Sequence, residues 1–343
     1  TDNPDYPIAR LPVLPAVLLA YIYNKIAKHY YVLRASGPAG EGTRWPRTRN
    51  PSRCASRRDG VVARPLGCLV KATGWAPRCP GGGRFIALGG MVPGQYGLIH
   101  LFDSAGKRSW HHKTREAIST VAVCRTGEFL AAASDDNNIY FFDKRGLLQW
   151  RHEAGRLIKC MALSENGDYL AVGSEDSNLY YFDRNRQIKK FVWKFRFEGT
   201  VTGVAMASSG RQVAAGSADR TVAYFDQNGQ MLWSHEAQDS ISSVGMSADG
   251  GLVAAGSSDH NLYIFNGTGV LLQTHDCGYP VTAVAVSSRG DCMLAAAGPN
   301  LLCLDPQGVR LWTAQLGSNI IRLAASELAD SALVATEDKG LSF

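Results

Sequence analysis

Six times along these 343 residues a Phe or Leu stands directly before an acidic or amide residue: Phe102-Asp103, Phe142-Asp143, Phe182-Asp183, Phe225-Asp226, Phe265-Asn266 and Leu304-Asp305. Successive pairs lie 40, 40, 43, 40 and 39 residues apart. A period near forty marks one repeated supersecondary unit, and units of this length are four-stranded propeller blades or helix pairs.

The runs inside the unit favour the blade. A β-branched run such as Val281-Thr282-Ala283-Val284-Ala285-Val286 leads through a Ser/Gly turn to a small apolar run such as Val253-Ala254-Ala255-Gly256-Ser257. A third run, for example Asn261-Leu262-Tyr263-Ile264-Phe265, is followed by a Gly turn and a fourth run ending in Trp or its equivalent. Each is short and bounded by Gly, Asn, Asp and Ser, which is the signature of a strand. The expected fold is therefore all-β, a propeller of about seven four-stranded antiparallel blades.

Turn chemistry agrees. Gly106, Gly146, Gly229, Gly269 and Gly308 each follow the period-marking Asp or Asn by three residues. The Asx side chain caps such a turn, and Gly accepts its positive φ. The third repeat departs with Asp183-Arg184-Asn185-Arg186 and reaches Trp193 through Lys189-Lys190, which predicts a longer hairpin. Ala and Gly fill the second runs (Ala131-Ala132-Ala133, Ala214-Ala215-Gly216), as suits inner strands where blades converge; Phe, Tyr, Trp110, Trp150, Trp233 and Trp312 belong further out. One four-stranded sheet cannot bury both its faces alone, so stacking blades in a ring is the stable solution.

Segments such as Val281 to Gly290 and Gly216-Ser217-Ala218-Asp219 resemble the first half of WD40 repeats, and Val222 to Trp233 is similar to the second half of quinoprotein-like (PQQ-type) repeats. The resemblance covers residues 83–343. It implies a propeller and, from WD40-like rings, a loop face that meets partners. The chain departs from the WD40 pattern in lacking its Gly-His pair and in carrying Phe-Asp for Trp-Asp, although the acidic turn residue stands at Asp136, Asp176, Asp219, Asp259 and Asp338.

The last repeat begins at Ile320 and stops at Phe343, just before the next expected Asp, and the first residue is Thr1. These ends read as those of a fragment whose last blade is incomplete. The strand to complete it is sought within Val17–Tyr23 or Tyr30–Leu33. Three regions follow: residues 1–33, an apolar closing strand or worn anchor; residues 34–82, a basic linker; and residues 83–343, the propeller.

Residues 1–80 hold 13 Lys/Arg against 4 Asp/Glu, leaving 23 against 26 in residues 81–343. The propeller thus lacks the basic footprint of a nucleic-acid binder. The Arg/Pro/Gly-rich stretch reads as a disordered linker or out-of-frame sequence, with a phosphate-binding arm or targeting segment as the alternative. The apolar run Leu11–Tyr23 is 13 residues long, short of the roughly 20 of a bilayer span. Eight cysteines show no Cys-x-x-Cys pair, which favours a reducing compartment such as the cytoplasm; Cys124 and Cys160 read as buried thiols. Membrane association stays open.

His112, His152, His235 and His275 recur two residues beyond the fourth-run Trp position. Equivalent positions on different blades are held apart by the ring, so these read as structural and no metal site is expected. No P-loop, Gly-x-Ser-x-Gly or His-Glu-x-x-His occurs, and the expectation is a non-enzymatic scaffold without cofactor. Asp136, Asp176, Asp219 and Asp259 cap their own turns in one reading and form an acidic partner-binding rim in the other; the expected partner is a protein or peptide. Two alternatives remain: a quinoprotein-like propeller binding a small redox ligand or serving an envelope assembly, and a membrane-tethered sensor.

Overall fold

The structure, a computed structural model, describes residues 30–34, 86–92, 96–102, 108–186, 191–325 and 331–336. The apolar run, nearly all of the basic stretch, Asp103, Gly106, Lys189, Lys190, Asp338 and Phe343 lie outside the described residues. Among those described, every regular element is a β-strand, and no helix is long and apolar enough to cross a membrane.

Seven sheets follow one another along the chain. Blade 1 comprises β2 (Ile86–Val92), β3 (Tyr96–Phe102) and β4 (Arg108–Thr114). Blade 2 is β5 (Ile118–Val123), β6 (Phe129–Ser134), β7 (Asn138–Asp143) and β8 (Leu148–Glu153). Blade 3 is β9 (Ile158–Leu163), β10 (Tyr169–Ser174), β11 (Asn178–Asp183) and β12 (Trp193–Arg196). Blade 4 is β13 (Val201–Met206), β14 (Gln212–Ser217), β15 (Thr221–Asp226) and β16 (Met231–Glu236). Blade 5 is β17 (Ile241–Met246), β18 (Leu252–Ser257), β19 (Asn261–Asn266) and β20 (Leu271–Asp276). Blade 6 is β21 (Val281–Val286), β22 (Met293–Ala297), β23 (Asn300–Leu304) and β24 (Arg310–Gln315). Blade 7 joins β25 (Ile320–Ala325) and β26 (Ser331–Thr336) to β1 (Tyr30–Arg34).

Strands pair in the order first, second, third, fourth, all antiparallel, and the chain is a β-propeller. Among the described residues, five blades have four strands and two have three. In blade 1, β2 occupies a second-strand position, packing on β5 of the next blade, and the residues directly before it lie outside the described residues. In blade 7, β1 takes the third-strand position, pairing Tyr30 with Ala335 and Arg34 with Ser331. Of the two candidate segments, Tyr30–Leu33, extended by Arg34, is the one seen to pair with the last blade, and Val17–Tyr23 lies outside the described residues.

The core lies between blades. Six apolar clusters occupy the six seams from blade 1/2 to blade 6/7, each joining the second and third strands of one blade to the first and second strands of the next. First strands lie innermost, with second strands packing on the next blade's first strand. That contact explains the small residues: a Cβ on Gly173 would lie 2.6 Å from both Cys160 Sγ and Val201 Cγ1. Further out, tryptophan stacks flat on its own third strand, with ring centroids 5.0 Å apart for Phe141–Trp150 and 4.9 Å for Tyr181–Trp193. Cys124 is buried as expected, whereas Cys160 is half-buried because it sits on an innermost strand beside a glycine.

Serine and threonine stitch the inner ring. Thr202 Oγ1 donates to the carbonyl of Ile241, Ser242 Oγ to that of Val281, and Thr282 Oγ1 to that of Ile320, each reaching the next blade. All three side chains sit at first-strand bulges, where the register shifts. The bulge turns an otherwise ladder-facing residue sideways.

Candidate loop face

In this strand order, the loops between second and third strands share one end of the blades with the loops that lead from blade to blade. In blades 2 to 5 the second–third loop starts at a buried serine: Ser134, Ser174, Ser217 or Ser257. Two residues on stands the acid, then a residue with positive φ: Asn137 (64°), Ser177 (68°), Arg220 (76°) and His260 (74°). The carbonyl of that residue accepts a backbone N–H from the end of the fourth strand, as in Ala154 to Asn137 and Cys277 to His260, both at 2.9 Å.

The four aspartates hold this arrangement together. Asp136 Oδ1 accepts from Asn138 N at 3.0 Å and Oδ2 from Tyr140 Oη at 2.6 Å. Asp176 accepts from Asn178 N, from Tyr180 Oη at 2.6 Å, and from Gly155 N at 3.0 Å on the incoming blade-to-blade loop. Asp259 repeats this with Asn261 N, Tyr263 Oη and Gln238 N. Blade 4 has Ala223 in place of the tyrosine, and Asp219 Oδ2 takes two linker amides instead, Glu198 N at 2.8 Å and Gly199 N at 3.0 Å.

Burial opposes the charge on Asp176, Asp219 and Asp259, yet the hydrogen bonds outweigh it and hold all three carboxyls below the usual range. Burial, reinforced by the neighbouring carboxylate, pushes Tyr140 and Tyr180 up to about 12. A carboxylate that accepts two or more such bonds is a fixed negative charge; its oxygens are committed to the loop. Asp136, Asp176, Asp219 and Asp259 therefore stand on one face as foreseen, each half-buried within its own loop network.

The tyrosines and the buried serines were not singled out in the sequence, although the spacing Asp-x-Asn-x-Tyr recurs at Asp136, Asp176 and Asp259. His112, His152 and His235 pack on Phe142, Phe182 and Phe265 of the next blade, with centroids 4.8, 5.1 and 5.0 Å apart. Among the described residues no group of three or more His, Cys, Asp or Glu is placed to hold a metal ion.

Residues 160–292, from the first strand of blade 3 into blade 6, match the family model of the outer membrane protein assembly factor BamB, and residues 107–143 match that of the WD domain, G-beta repeat. The chain carries WD40-like and PQQ-type propeller repeats. No curated protein matches it.

Charge separates the two ends of these repeats. The second–third and blade-to-blade loops, residues 111–118, 135–137, 152–157, 175–177, 195–201, 218–220, 235–241, 258–260 and 275–281, hold 12 acids against 5 Lys/Arg. At the other end, residues 124–128, 143–147, 164–168, 183–186, 207–211, 226–230, 247–251, 266–270, 287–292 and 305–309 hold 9 against 7.

Proposed function

We propose that this propeller is a non-enzymatic scaffold that binds a basic segment of a partner protein or peptide on its acidic loop face. The observation that carries the reading is the 12-to-5 excess of acids over Lys/Arg on loops held by internal hydrogen bonds. Loops already fixed before contact lose little conformational entropy on binding. The aspartates within the turns set loop shape and field, and exposed acids such as Asp135, Glu153, Glu198 and Asp239 make the contacts. WD40 repeats in general mediate protein interactions, which supports the same reading.

The test compares the full chain with a variant carrying Asp135→Lys, Glu153→Lys, Glu198→Lys and Asp239→Lys as baits. A partner held by the wild type, lost from the variant and weakened by salt supports the reading. A partner retained equally by both overturns it. The match over residues 160–292 favours one second reading, service in an envelope assembly. Co-fractionation with outer-membrane proteins tests that alternative.

A further inference from the structure

Blade 6 brings two thiols together. Leu294 of β22 pairs with Cys303 of β23, and Met293 pairs with Leu304. Side chains alternate along a strand, so Cys292, one residue before β22, shares the face of Leu294 and lies diagonally across from Cys303. Cys303 belongs to the apolar cluster between blades 6 and 7, and Cys292 packs against that cluster.

The two differ in access and basicity. Cys303 is 4% exposed, whereas Cys292 is half-buried. The Cys303 thiol donates to the Cys292 sulfur, which with Ser287 outweighs burial and lowers the Cys292 pKa; the same contact, burial and the nearby charges raise that of Cys303. The backbone at Cys292 is pinned: its N–H donates to Ser287 Oγ at 3.1 Å and its carbonyl accepts from Ser287 N at 2.9 Å. Cys124, Cys160 and Cys277 stand in or beside other blades.

We propose that Cys292 and Cys303 are a reversible oxidation site, converted to an intrablade disulfide by a two-electron oxidant of the peroxide class. The Cys292 thiolate attacks one peroxide oxygen; the S–O bond forms, the O–O bond breaks, and the leaving oxygen departs as water after taking a proton. Cys303 then attacks the Cys292 sulfur; the S–S bond forms, the S–O bond breaks, and a second water leaves with the Cys303 proton. Two thiols and one hydrogen peroxide become one disulfide and two waters, and a dithiol reductant reverses the change. Contraction to an S–S bond of about 2.05 Å shifts the chain at the strand end, where Cys292 precedes the first registered pair, at the expense of its bonds to Ser287. The product staples second strand to third beside the seam with blade 7.

The experiment treats the full chain with one equivalent of hydrogen peroxide, alkylates the remaining thiols and maps the digest by mass spectrometry. The expected result is a 292–303 cross-link removed by dithiothreitol, with a rise of roughly 5 °C in Tm. In Cys303→Ser the same treatment leaves Cys292 as a sulfenic acid that dimedone labels. Cross-links scattered among the other cysteines, or Cys292 oxidised to sulfinic acid while Cys303 stays free, would overturn the proposal.

Discussion

Trp110 donates its indole N–H to the carbonyl oxygen of Lys144 at 3.1 Å, reaching from the outer strand of blade 1 to the third–fourth hairpin of blade 2. Trp193 does the same to Gln227 at 3.0 Å and Trp233 to Gly267 at 3.2 Å, each 34 residues along. Beneath each indole lies the hairpin glycine, Gly146, Gly229 or Gly269, with φ between 80° and 89°. Blade 3 breaks the pattern. Arg186 stands where the glycine should be, and Trp150 Nε1 is buried without a hydrogen-bond partner among the described residues. Among the described residues, one of the latches between blades is thus missing where the sequence spacing foresees a longer hairpin.

The latch has a direct test at Gly229, where φ is 83° and an added Cβ would lie 2.7 Å from Trp193 Cγ. Gly229→Ala combines left-handed strain with overpacking and should destabilise by about 2–4 kcal/mol. Urea unfolding reads this as a lower midpoint. An unchanged midpoint would show that the hairpin yields freely.

Ser177 points the other way. Its φ of 68° places a side chain in the left-handed region. Ser177→Gly should raise stability by roughly 0.5–1 kcal/mol, since strain relief exceeds the entropy that glycine adds to the unfolded chain. The midpoint rises at constant m-value if this balance is right.

Asp176 and Tyr180 should behave as a coupled pair. Asp176→Asn weakens three hydrogen bonds and should cost about 1.5–3 kcal/mol; Tyr180→Phe should cost about 1 kcal/mol. A double-mutant cycle between them should return a positive coupling energy, whereas Asp219, which has no tyrosine partner, should show none with Tyr180.

Stability should fall in mild acid before the carboxylates are reached. Burial, with Arg108 and His111, lowers His100 to about 4, and burial also lowers His112, His152 and His275. Above pH 6.5 both folded and unfolded chains hold these imidazoles neutral, so the shift contributes nothing. Below it the unfolded chain takes protons first, and stability drops until the folded-state values are passed. The contribution of Asp176, Asp219 and Asp259 has the same sense in a lower window: it is complete above the ordinary Asp range and is lost as pH falls through their lowered values. Urea midpoints at pH 7.5 and 5 should separate more widely for the wild type than for His100→Phe.

What could be read from the chain follows from what a repeat encodes. Alternation and turn residues are local, so the strands of blades 2 to 6 and the face carrying the four aspartates were legible. The left-handed residues were not, because Asn137, Ser177, Arg220 and His260 share a backbone position and no side-chain chemistry. Nor were the bonds from Gly155, Glu198 and Gln238, which form only once blade-to-blade loops fold back over the turns. The tyrosines carried a usable signal: their spacing from the acid repeats, and the alanine at 223 marks the blade where linker amides substitute. The pairing of β1 with β26 joins distant parts of the chain, and local pattern could do no more than nominate two segments for it.

That pairing also sets an order of events. Tyr30 leaves the ribosome some 300 residues before Ala335, its registered neighbour. At about 5–20 residues per second, synthesis keeps them apart for roughly 15–60 seconds. Through that interval β1 is an orphan strand offering its backbone to whatever passes, and the last blade can assemble only when translation delivers the place where it belongs.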